Sequence, residues 1–378
     1  MFVHRGKLEP ALAAADYVDP EVYAHEQRAL FSSHWHLVGA HEVLCRPGGQ
    51  VALELQGTPV VVRSDQQGLV AFRNVCPHRH SLIVAPGEHV AETLQCQYHG
   101  WQFRPDGSLL KLPDGASFRG LKAREICLER YRVERLGPLV FVSLTATGPS
   151  LRDTFGPIYT ELEQALEGTQ LAIGQRSGHA ANWKIPVENA VESYHVPLVH
   201  PSTFQSYLPE ELHHHELEPT YSRYRPTAPP SWREQLAFAG FGVMLRSSRA
   251  RRYQHIHVLP NYLITYSGIY VEVGEIVPLA VDRCRRDMYG FLPSDVRKNP
   301  VSIALDEVHR RLLRRGADAI LAEDSSVWPH VQAGSGHSVG PGVLGAREER
   351  VYHFQRYVAA RLGRAERAVP VVTAQTRE

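Results

Sequence analysis

Two short motifs, each combining one cysteine with one histidine, constrain this chain more than any other feature of its sequence. Residues 76–80 read Cys-Pro-His-Arg-His and residues 96–101 read Cys-Gln-Tyr-His-Gly-Trp, with seventeen residues, 79–95, between the first cysteine–histidine pair and the second. Each motif can therefore present one thiolate and one imidazole from a single loop. A [2Fe–2S] cluster in which two histidines replace two cysteines on one iron uses this ligand set. The candidate ligands are Cys76, His78, Cys96 and His99.

A structural zinc site with two cysteines and two histidines is the alternative interpretation of the same residues. Zinc fingers commonly place the two cysteines together and the two histidines together, whereas here each loop carries one of each. That mixture favours a Rieske cluster, because it lets the cysteine and the histidine of one loop bind neighbouring irons. Tyr98 and Trp101 in the second motif are expected to shield the cluster on one side.

The composition excludes several other classes of protein. Of the 378 residues, 43% are hydrophobic and 21% are charged, which is enough apolar material for a sizeable core. The formal net charge of +1 gives no reason to expect nucleic acid or a membrane surface as a partner. No apolar run approaches the ~20 residues that span a bilayer. The first residues, Met-Phe-Val-His-Arg-Gly-Lys, lack the apolar core of a signal peptide, so we predict a cytoplasmic protein.

The pattern of short apolar runs and turns predicts an α+β fold in three parts. Residues 1–39 are expected to form a helical segment that packs on the larger domain, with a helix starting at Asp19-Pro20-Glu21. Residues 40–145 are predicted to form an all-β domain that carries both Cys/His loops, and residues 146–378 a larger domain with an antiparallel sheet covered by helices. In the larger domain we predict strands near Ile256–Tyr266, Ile269–Val277 and Arg286–Leu292, helices near Val301–Arg314, Ala317–Val327 and Arg347–Leu362, and an irregular stretch over Leu208–Trp232.

A second candidate metal site lies in residues 182–200, which read Asn-Trp-Lys-Ile-Pro-Val-Glu-Asn-Ala-Val-Glu-Ser-Tyr-His-Val-Pro-Leu-Val-His. A helix through this segment would line up Glu188, Glu192 and His195 on one face. His200 lies five residues beyond His195, and Pro197 between them kinks or ends the helix, which could let both imidazoles converge. Two histidines and one carboxylate on one face of an iron form the facial triad of Fe(II) oxygenases. The sequence pattern alone does not identify which acid supplies that carboxylate.

These motifs together resemble the large (alpha) subunits of Rieske non-heme iron oxygenases, and the similarity extends from the helix before Trp35 almost to the end of the chain. The resemblance implies that His195 and His200 bind a mononuclear iron. The segment 322–332, Ala-Glu-Asp-Ser-Ser-Val-Trp-Pro-His-Val-Gln, is similar to the family's late Glu-Asp…Val-Gln helix, which implies Asp324 as the third ligand, with Glu323 as the runner-up.

The resemblance also implies how the two centres communicate. Glu192 matches the family's bridging carboxylate, which connects a Rieske histidine of one subunit to an iron-binding histidine of its neighbour. The protein is therefore expected to be a ring-shaped homo-oligomer, most simply a homotrimer. Glu188 is interpreted as an ordinary acid of the helix and Asn189 as a residue that supports the metal ligands without binding the metal itself. His80 departs from the family, which commonly has a small residue such as glycine there, and we expect its ring to face solvent.

The function implied is that of the terminal oxygenase component of a Rieske system, a mono- or dioxygenase that uses O2. A separate reductase, with or without a ferredoxin, is expected to supply electrons from NAD(P)H, since no Gly-x-Gly-x-x-Gly motif follows a strand. The substrate would be a small organic molecule that is hydroxylated or oxidatively demethylated: a quaternary amine, an aromatic acid or a natural-product intermediate. The alternative is a non-catalytic Rieske electron carrier or redox sensor with a vestigial second domain.

Two further sets of residues carry weaker signals. Five aromatic residues between positions 207 and 241 offer the parts of an aromatic cage for a cation, although ordinary pocket wall is the favoured interpretation. The cage candidates are Tyr207, Tyr221, Tyr224, Trp232 and Phe241. The consecutive histidines 213–215 are not predicted to form a metal site, because consecutive side chains point in different directions.

Overall fold

The computed structural model of the protein describes residues 2–201, 209–227, 251–268, 270–293, 300–340 and 342–364. Antiparallel sheets and helices are both present, so the predicted α+β class is confirmed. The cage candidates Tyr207, Trp232 and Phe241 lie outside the described residues.

The first two sheets each have seven strands. The third has three short strands and carries the second Cys/His loop between its first two strands. In spatial order the first sheet consists of β1 (Trp35–Gly39), β10 (Leu139–Ser143), β9 (Arg130–Leu136), β4 (Gly68–Arg73), β3 (Thr58–Asp65), β2 (Gly49–Leu55) and β5 (Gly87–Val90). The third sheet consists of β6 (Leu94–Gln95), β7 (Gln102–Phe103) and β8 (Leu109–Lys111).

The second sheet forms the centre of the larger domain, and every pairing in it is antiparallel. In spatial order it consists of β11 (Thr169–His179), β17 (Arg283–Pro293), β16 (Tyr270–Ala280), β15 (Tyr262–Gly268), β14 (Arg251–Val258), β13 (Tyr221–Pro226) and β12 (His213–Glu218). The helices are α1 (Pro20–Glu26), α2 (Leu151–Phe155), α3 (Pro157–Leu166), α4 (Lys184–Val191), α5 (Val196–Val199), α6 (Pro300–Ser335) and α7 (Glu349–Arg361). None of these helices is long and apolar enough to cross a membrane.

One hydrophobic core joins the two large sheets. Trp35 of β1 and Phe141 of β10 pack in the same cluster as Tyr262 and Phe291 of the second sheet, and none of the four is exposed to solvent. All five residues of β1 are buried, because the strand is covered on both faces. The predicted boundary after Gly39 leaves β1 outside the sheet to which it is hydrogen-bonded, whereas a limit just before Trp35 would include it. The other predicted domain limits stay predictions.

The N-terminal segment packs on the larger domain through a shared hydrophobic cluster and through buried charges. Asp19 caps α1 by accepting a hydrogen bond from the backbone of Glu21, as its Asp-Pro start predicts. At the other end of α1, Glu26 forms an ion pair with Lys184 of α4 at 2.7 Å, and neither side chain is exposed. Helix α4, the first helix after β11 in the larger domain, is therefore anchored to the N-terminal segment by buried charges.

Three predictions of secondary structure in the larger domain are wrong in detail. The two helices predicted between residues 301 and 327 are one helix, α6, since Gly316 costs a helix only about 1 kcal/mol and does not end it. The strand predicted over Ile256–Tyr266 is two strands separated by a turn at residues 259–261, because Pro260 has no backbone N–H to donate. The irregular stretch contains the hairpin of β12 and β13, and residues 208 and 228–232 of it lie outside the described chain.

Candidate metal centres

The two Cys/His loops have the same backbone form. In each loop the carbonyl of the cysteine accepts a hydrogen bond from the N–H four residues later, that of His80 in the first loop at 2.9 Å and that of Gly100 in the second at 3.0 Å. The N–H groups of Cys76 and Cys96 donate across the base of their loops to Ser81 and Trp101. Two equivalent turns therefore present the four side chains.

The form of the turn explains why His80 is unusual. His80 has φ +60° and its counterpart Gly100 has φ +70°, so both occupy the left-handed region. Glycine is favoured there because a Cβ atom is strained, although histidine is one of the residue types that tolerate it. The His80 side chain is exposed, as predicted, and the residue serves the loop through its backbone N–H.

The four side chains divide into a buried sulfur pair and an imidazole pair nearer the surface. Cys76 and Cys96 are 1% and 2% exposed, while His99 is exposed and its ring lies 4.7 Å, centroid to centroid, from that of His78. The ring of Trp101 stacks on His78 at 5.0 Å, so this residue shields the site as expected. Tyr98 is 55% exposed, and its ring lies 3.8 Å, centroid to centroid, from the ring of His99.

The protein alone does not satisfy the donor atoms of these four side chains, and a bound metal centre would. Burial raises the pKa of the Cys76 thiol to about 11, and its interaction with the Cys96 thiol adds to the effect. A bound metal reverses this by stabilising thiolates. Nδ1 of His78 is buried and has no hydrogen-bond partner within the described structure. Two sulfurs inside and two imidazoles at the rim suit a [2Fe–2S] cluster with mixed ligands.

The second candidate centre is built on a broken helix, not on the continuous one predicted. Helix α4 ends at Val191, and Glu192 has extended backbone angles, φ −123° and ψ 170°. His195 and His200 then flank the single turn of α5, which begins with Val196-Pro197. Pro197 favours a new helix start because it lacks an N–H that the first turn would leave unbonded. The predicted alignment of Glu188, Glu192 and His195 on one helix face is therefore wrong. A break was predicted to bring the two histidines together, but it falls at Glu192 and not at Pro197.

The structure brings His195, His200 and Asp324 of α6 to one point. Their ligand atoms all lie within 4.8 Å of one another. Oδ1 of Asp324 lies 3.4 Å from Nε2 of His195 and 3.0 Å from Nε2 of His200. This oxygen is buried, and no described residue gives it a hydrogen bond of good geometry. Two imidazole nitrogens and one carboxylate oxygen around a shared point are the donors of a facial triad.

Two other carboxylates hold the imidazoles from behind. Oε1 of Glu192 contacts Nδ1 of His195, and Oε2 of Glu323 lies 2.8 Å from Nδ1 of His200. An acceptor on Nδ1 keeps the proton there and leaves Nε2 free to bind a metal. Glu323, the runner-up for the third ligand, therefore lies on the outer side of His200, while Asp324 lies on the inner side.

The site is electrostatically prepared for a cation. Burial lowers the pKa of His195, but the carboxylates of Asp324 and Glu192 outweigh it and raise that pKa to about 9. So high a pKa shows that the carboxylates of Glu192 and Asp324 create an excess of negative charge around the imidazole of His195. The same excess would favour a divalent metal ion at the three converging donor atoms.

The position of Asp324 depends on contacts made by other residues of the segment 322–332, whose partners the sequence did not indicate. Trp328, one helical turn later on α6, donates a hydrogen bond to Asn189 of α4 at 2.7 Å. Gln332, one turn further, accepts from the backbone of Asn182 at 2.6 Å. These contacts bind one face of α6 to both ends of α4. They place Asp324 over the two histidines.

Glu188 is not the ordinary helix acid that was predicted. Its carboxylate accepts hydrogen bonds from the hydroxyl of Tyr17 and the amide of Gln355 at the side of α4. Burial raises the pKa of this carboxyl to about 7. The partners come from the N-terminal segment and from α7, so no local sequence signal indicated the contact.

A second group with suitable metal donors joins the two domains. His34 and His36 lie 3.5 Å and 3.7 Å from Oε1 of Glu275, and all three side chains are buried. Glu275 already accepts hydrogen bonds from the backbone of Leu37 and from Asn261. Its carboxylate is thus used by the protein itself, unlike Oδ1 of Asp324. We interpret this group as a polar clip between β1 and β16.

The consecutive histidines of β12 point in different directions, as predicted. His213 and His215 face inwards, and His215 contacts Glu349 of α7 at 2.7 Å. His214 faces outwards with about half of its side chain exposed. The three rings therefore do not converge on one point.

Comparison with known proteins agrees with this geometry. Residues 166–364 match the family model for the ring hydroxylating alpha subunit (catalytic domain), and residues 34–128 match that for the Rieske [2Fe-2S] domain. The chain is 28% identical over 203 residues to the carnitine monooxygenase oxygenase subunit of Acinetobacter pittii, covering 52% of this chain and 54% of that protein. It is 30% identical over 229 residues to the glycine betaine monooxygenase oxygenase subunit of Chromohalobacter salexigens, covering 58% and 48%. The chain thus spans about half the length of the curated relatives it matches.

Solved structures extend the likeness over nearly the whole fold. The quaternary ammonium Rieske monooxygenase CntA in complex with L-carnitine superimposes with a TM-score of 0.74 at 21% identity, covering 94% of this chain and 95% of that one. Naphthalene 1,2-dioxygenase from Rhodococcus sp. bound to indole gives a TM-score of 0.72 at 20% identity, covering 93% and 94%. At these identities the likeness establishes the fold.

Proposed function

Because the chain belongs to the ring-hydroxylating alpha-subunit family, we propose that it is the terminal oxygenase component of a Rieske non-heme iron system. One observation carries the proposal: a single chain presents both a Cys₂His₂ set on paired loops and a converging His₂Asp set. The ligands proposed for the [2Fe–2S] cluster are Cys76, His78, Cys96 and His99, and those proposed for the mononuclear iron are His195, His200 and Asp324. A simple electron carrier would need only the first set.

The residues around each set are proposed to orient donors and exclude water. When bound, the cluster would supply one-electron transfer and the iron a place where O2 is activated beside the substrate. Glu192 and Glu323 hold the Nδ1 protons of the two imidazoles, so that both Nε2 atoms face Asp324. Trp101 covers one face of His78 and keeps solvent from that side of the cluster site.

Glu192 is proposed to serve also as the bridge between the two centres of neighbouring subunits. Its carboxylate contacts His195 and remains 11% exposed, while the imidazole of His99 is exposed at the rim of the first domain. A near-surface acceptor and an exposed donor suit a contact between two copies of the chain. We therefore propose a homotrimer supplied with electrons by a separate reductase. Inter-subunit electron transfer is reported for the quaternary ammonium Rieske monooxygenase with the same fold.

The substrate is proposed to be a small organic molecule that undergoes mono-oxygenation or oxidative demethylation. The curated relatives are named for carnitine and glycine betaine, which supports this class. Among solved structures, likeness to a naphthalene dioxygenase keeps aromatic compounds within the range to be tested.

Iron analysis and electron resonance test the two sites separately. We expect two irons in the cluster and one mononuclear iron per chain. His195→Ala should remove the mononuclear iron and leave the reduced Rieske signal unchanged, while His214→Ala, at an exposed histidine of the same domain, should change neither. Asp324→Asn should lower mononuclear iron content, whereas Glu323→Gln should retain it. A colourless protein without the Rieske signal would refute the proposal.

A further inference from the structure

The larger domain contains a buried guanidinium whose charge the protein does not pair. Arg350, in the first turn of α7, is 2% exposed. Its nitrogens are bonded to the hydroxyl and carbonyl of Ser222 at 3.1 and 3.3 Å and contact Nδ1 of His255 at 3.3 Å. All three partners are uncharged acceptors, since burial lowers the pKa of His255 well below its usual value. Buried charges normally have a charged partner, because an isolated one is costly to desolvate.

The nearby carboxylates are already engaged. Glu349, adjacent on α7, accepts hydrogen bonds from the backbone N–H groups of residues 3 and 4 and contacts His215. Glu272 on β16 is bonded to Arg286 and Tyr270. Among the residues that the structure describes, no acid lies within ion-pair distance of Arg350.

The sheet register brings several polar side chains to the face beneath Arg350. Tyr224 of β13 pairs directly with His255 of β14, and Ser222 pairs with His257. Side chains alternate along a strand, so these four residues and Tyr253, two before His255, share one face. This face is rich in hydrogen-bonding groups although a helix covers it. A few convergent polar side chains of this kind are the part of a binding site that orients a ligand.

Tyr253 lies on the accessible part of this face. It is 43% exposed, and Tyr224 and His255 are partly exposed, so the surface beside the partners of Arg350 is not completely covered by protein. The rings of Tyr253 and Tyr224 lie 6.1 Å apart, and Arg350 interacts electrostatically with both.

Helix α7 also connects this face with the candidate iron site. Val351 and Tyr352, the next two residues after Arg350, pack with Val191, which immediately precedes Glu192. The negative charge of Glu192 is close enough to raise the pKa of Glu348, at the start of the same helix, in addition to the larger effect of burial. One helix, about 10 Å across with its side chains, thus borders both places.

We propose that Arg350, together with Ser222, binds a carboxylate group of the substrate. This inference rests on the proposed oxygenase function and narrows its substrate class to organic acids and zwitterions that bear a carboxylate. A guanidinium binds a carboxylate through two parallel N–H donors, and the Ser222 hydroxyl, which accepts from Arg350, can donate its own proton to the ligand. A substrate with only positive charge would be repelled. The proposed site therefore selects betaine-like or aromatic acids over choline-like cations.

Binding of matched ligand pairs, measured by calorimetry on the oxidised holoenzyme without reductase, tests the site independently of turnover. The probes are glycine betaine against choline and benzoate against benzamide, followed by a wider panel of acids with their amides. At least one acid should bind about 10- to 100-fold more tightly than its uncharged or cationic counterpart. Arg350→Gln should abolish that difference without weakening the counterpart, and Arg350→Lys should keep part of it. Arg361→Gln, at an exposed arginine of the same helix, is the matched control and should leave it intact.

The outcomes separate this site from the oxygenase assignment. Equal affinity for acids and amides, or acid selectivity that survives Arg350→Gln with an intact cluster spectrum, would overturn the carboxylate site and leave the oxygenase proposal standing. If instead the wild-type protein lacks the mononuclear iron, the proposed function fails while acid selectivity is still measured. Should Arg350→Gln not fold, the loss of acid affinity is read from Arg350→Lys, for which unchanged affinity counts against the proposal.

Discussion

The buried pair of Glu26 and Lys184 tests how the N-terminal segment anchors helix α4, which leads to the proposed iron site. Both side chains are 0% exposed, and Nζ of Lys184 lies 2.7 Å from Oε1 of Glu26. Trp183 donates to the other carboxylate oxygen at 2.8 Å. At an effective dielectric constant of about 20, this attraction is roughly 6 kcal/mol, and desolvation of the two ions offsets most of it. The pair is therefore expected to add little net stability but to be costly to break.

Lys184→Met should destabilise the protein by about 3–5 kcal/mol, because it leaves Glu26 buried without its cation. Glu26→Gln should cost less, about 1–3 kcal/mol, since the amide oxygen still accepts from Lys184. The double variant should cost less than the sum of the two single variants, with a coupling free energy of about 2 kcal/mol or more. Burial lowers the pKa of Lys184, so part of the single-variant effect of Glu26→Gln is relieved by deprotonation of the amine.

Urea unfolding followed by tryptophan fluorescence measures the four proteins, with cluster absorbance confirming equal metal content. Because loss of the cluster makes unfolding irreversible, unfolding rates at matched urea concentrations are compared in place of equilibrium midpoints. Additive effects of the two substitutions, or a cost below about 1 kcal/mol for Lys184→Met, would show that the pair is hydrated or mobile. The reasoning from complete burial would then be wrong.

Three further predictions concern the loops, the clip and the bridge. His80→Gly should relieve the left-handed strain, worth up to about 1 kcal/mol, and so slow the thermal loss of cluster absorbance. Gly100→Ala should speed that loss. Faster loss in His80→Gly would contradict the strain argument. Burial opposes ionisation of Glu275, but the adjacent imidazoles of His34 and His36 outweigh it and lower its pKa to about 2. The resulting stability should be complete above about pH 4.5 and be lost as the pH falls towards 2, and Glu275→Gln should remove this part of the acid sensitivity in unfolding experiments; an unchanged pH profile would refute it. Glu192→Gln should retain all iron yet slow re-oxidation of the reduced cluster at least about 10-fold in stopped-flow absorbance, a result that an unchanged rate would rule out.

The sequence alone determined the elements whose partners are close along the chain. The cysteine and the histidine of each loop are separated by one or two residues, so the spacing itself brings them to one centre. The Asp-Pro start of α1 and the pairing of short strands were predicted for the same reason. The resemblance indicated that the family commonly has a small residue at the position of His80, but only its φ of +60° showed why.

Tertiary structure decided everything that depends on segments far apart in the chain. Resemblance proposed Asp324, but its convergence with His200 follows from the contacts of Trp328 and Gln332 with α4. The break at Glu192 overrode a favourable helix pattern, and the Glu192 carboxylate there accepts hydrogen bonds from the backbone N–H groups of Tyr194 and His195. Arg350 looked like any helix arginine until the fold buried it against Ser222 without an acid. Burial and the partners that accompany it are properties of packing, and a sequence pattern reports only the distances that the chain itself imposes.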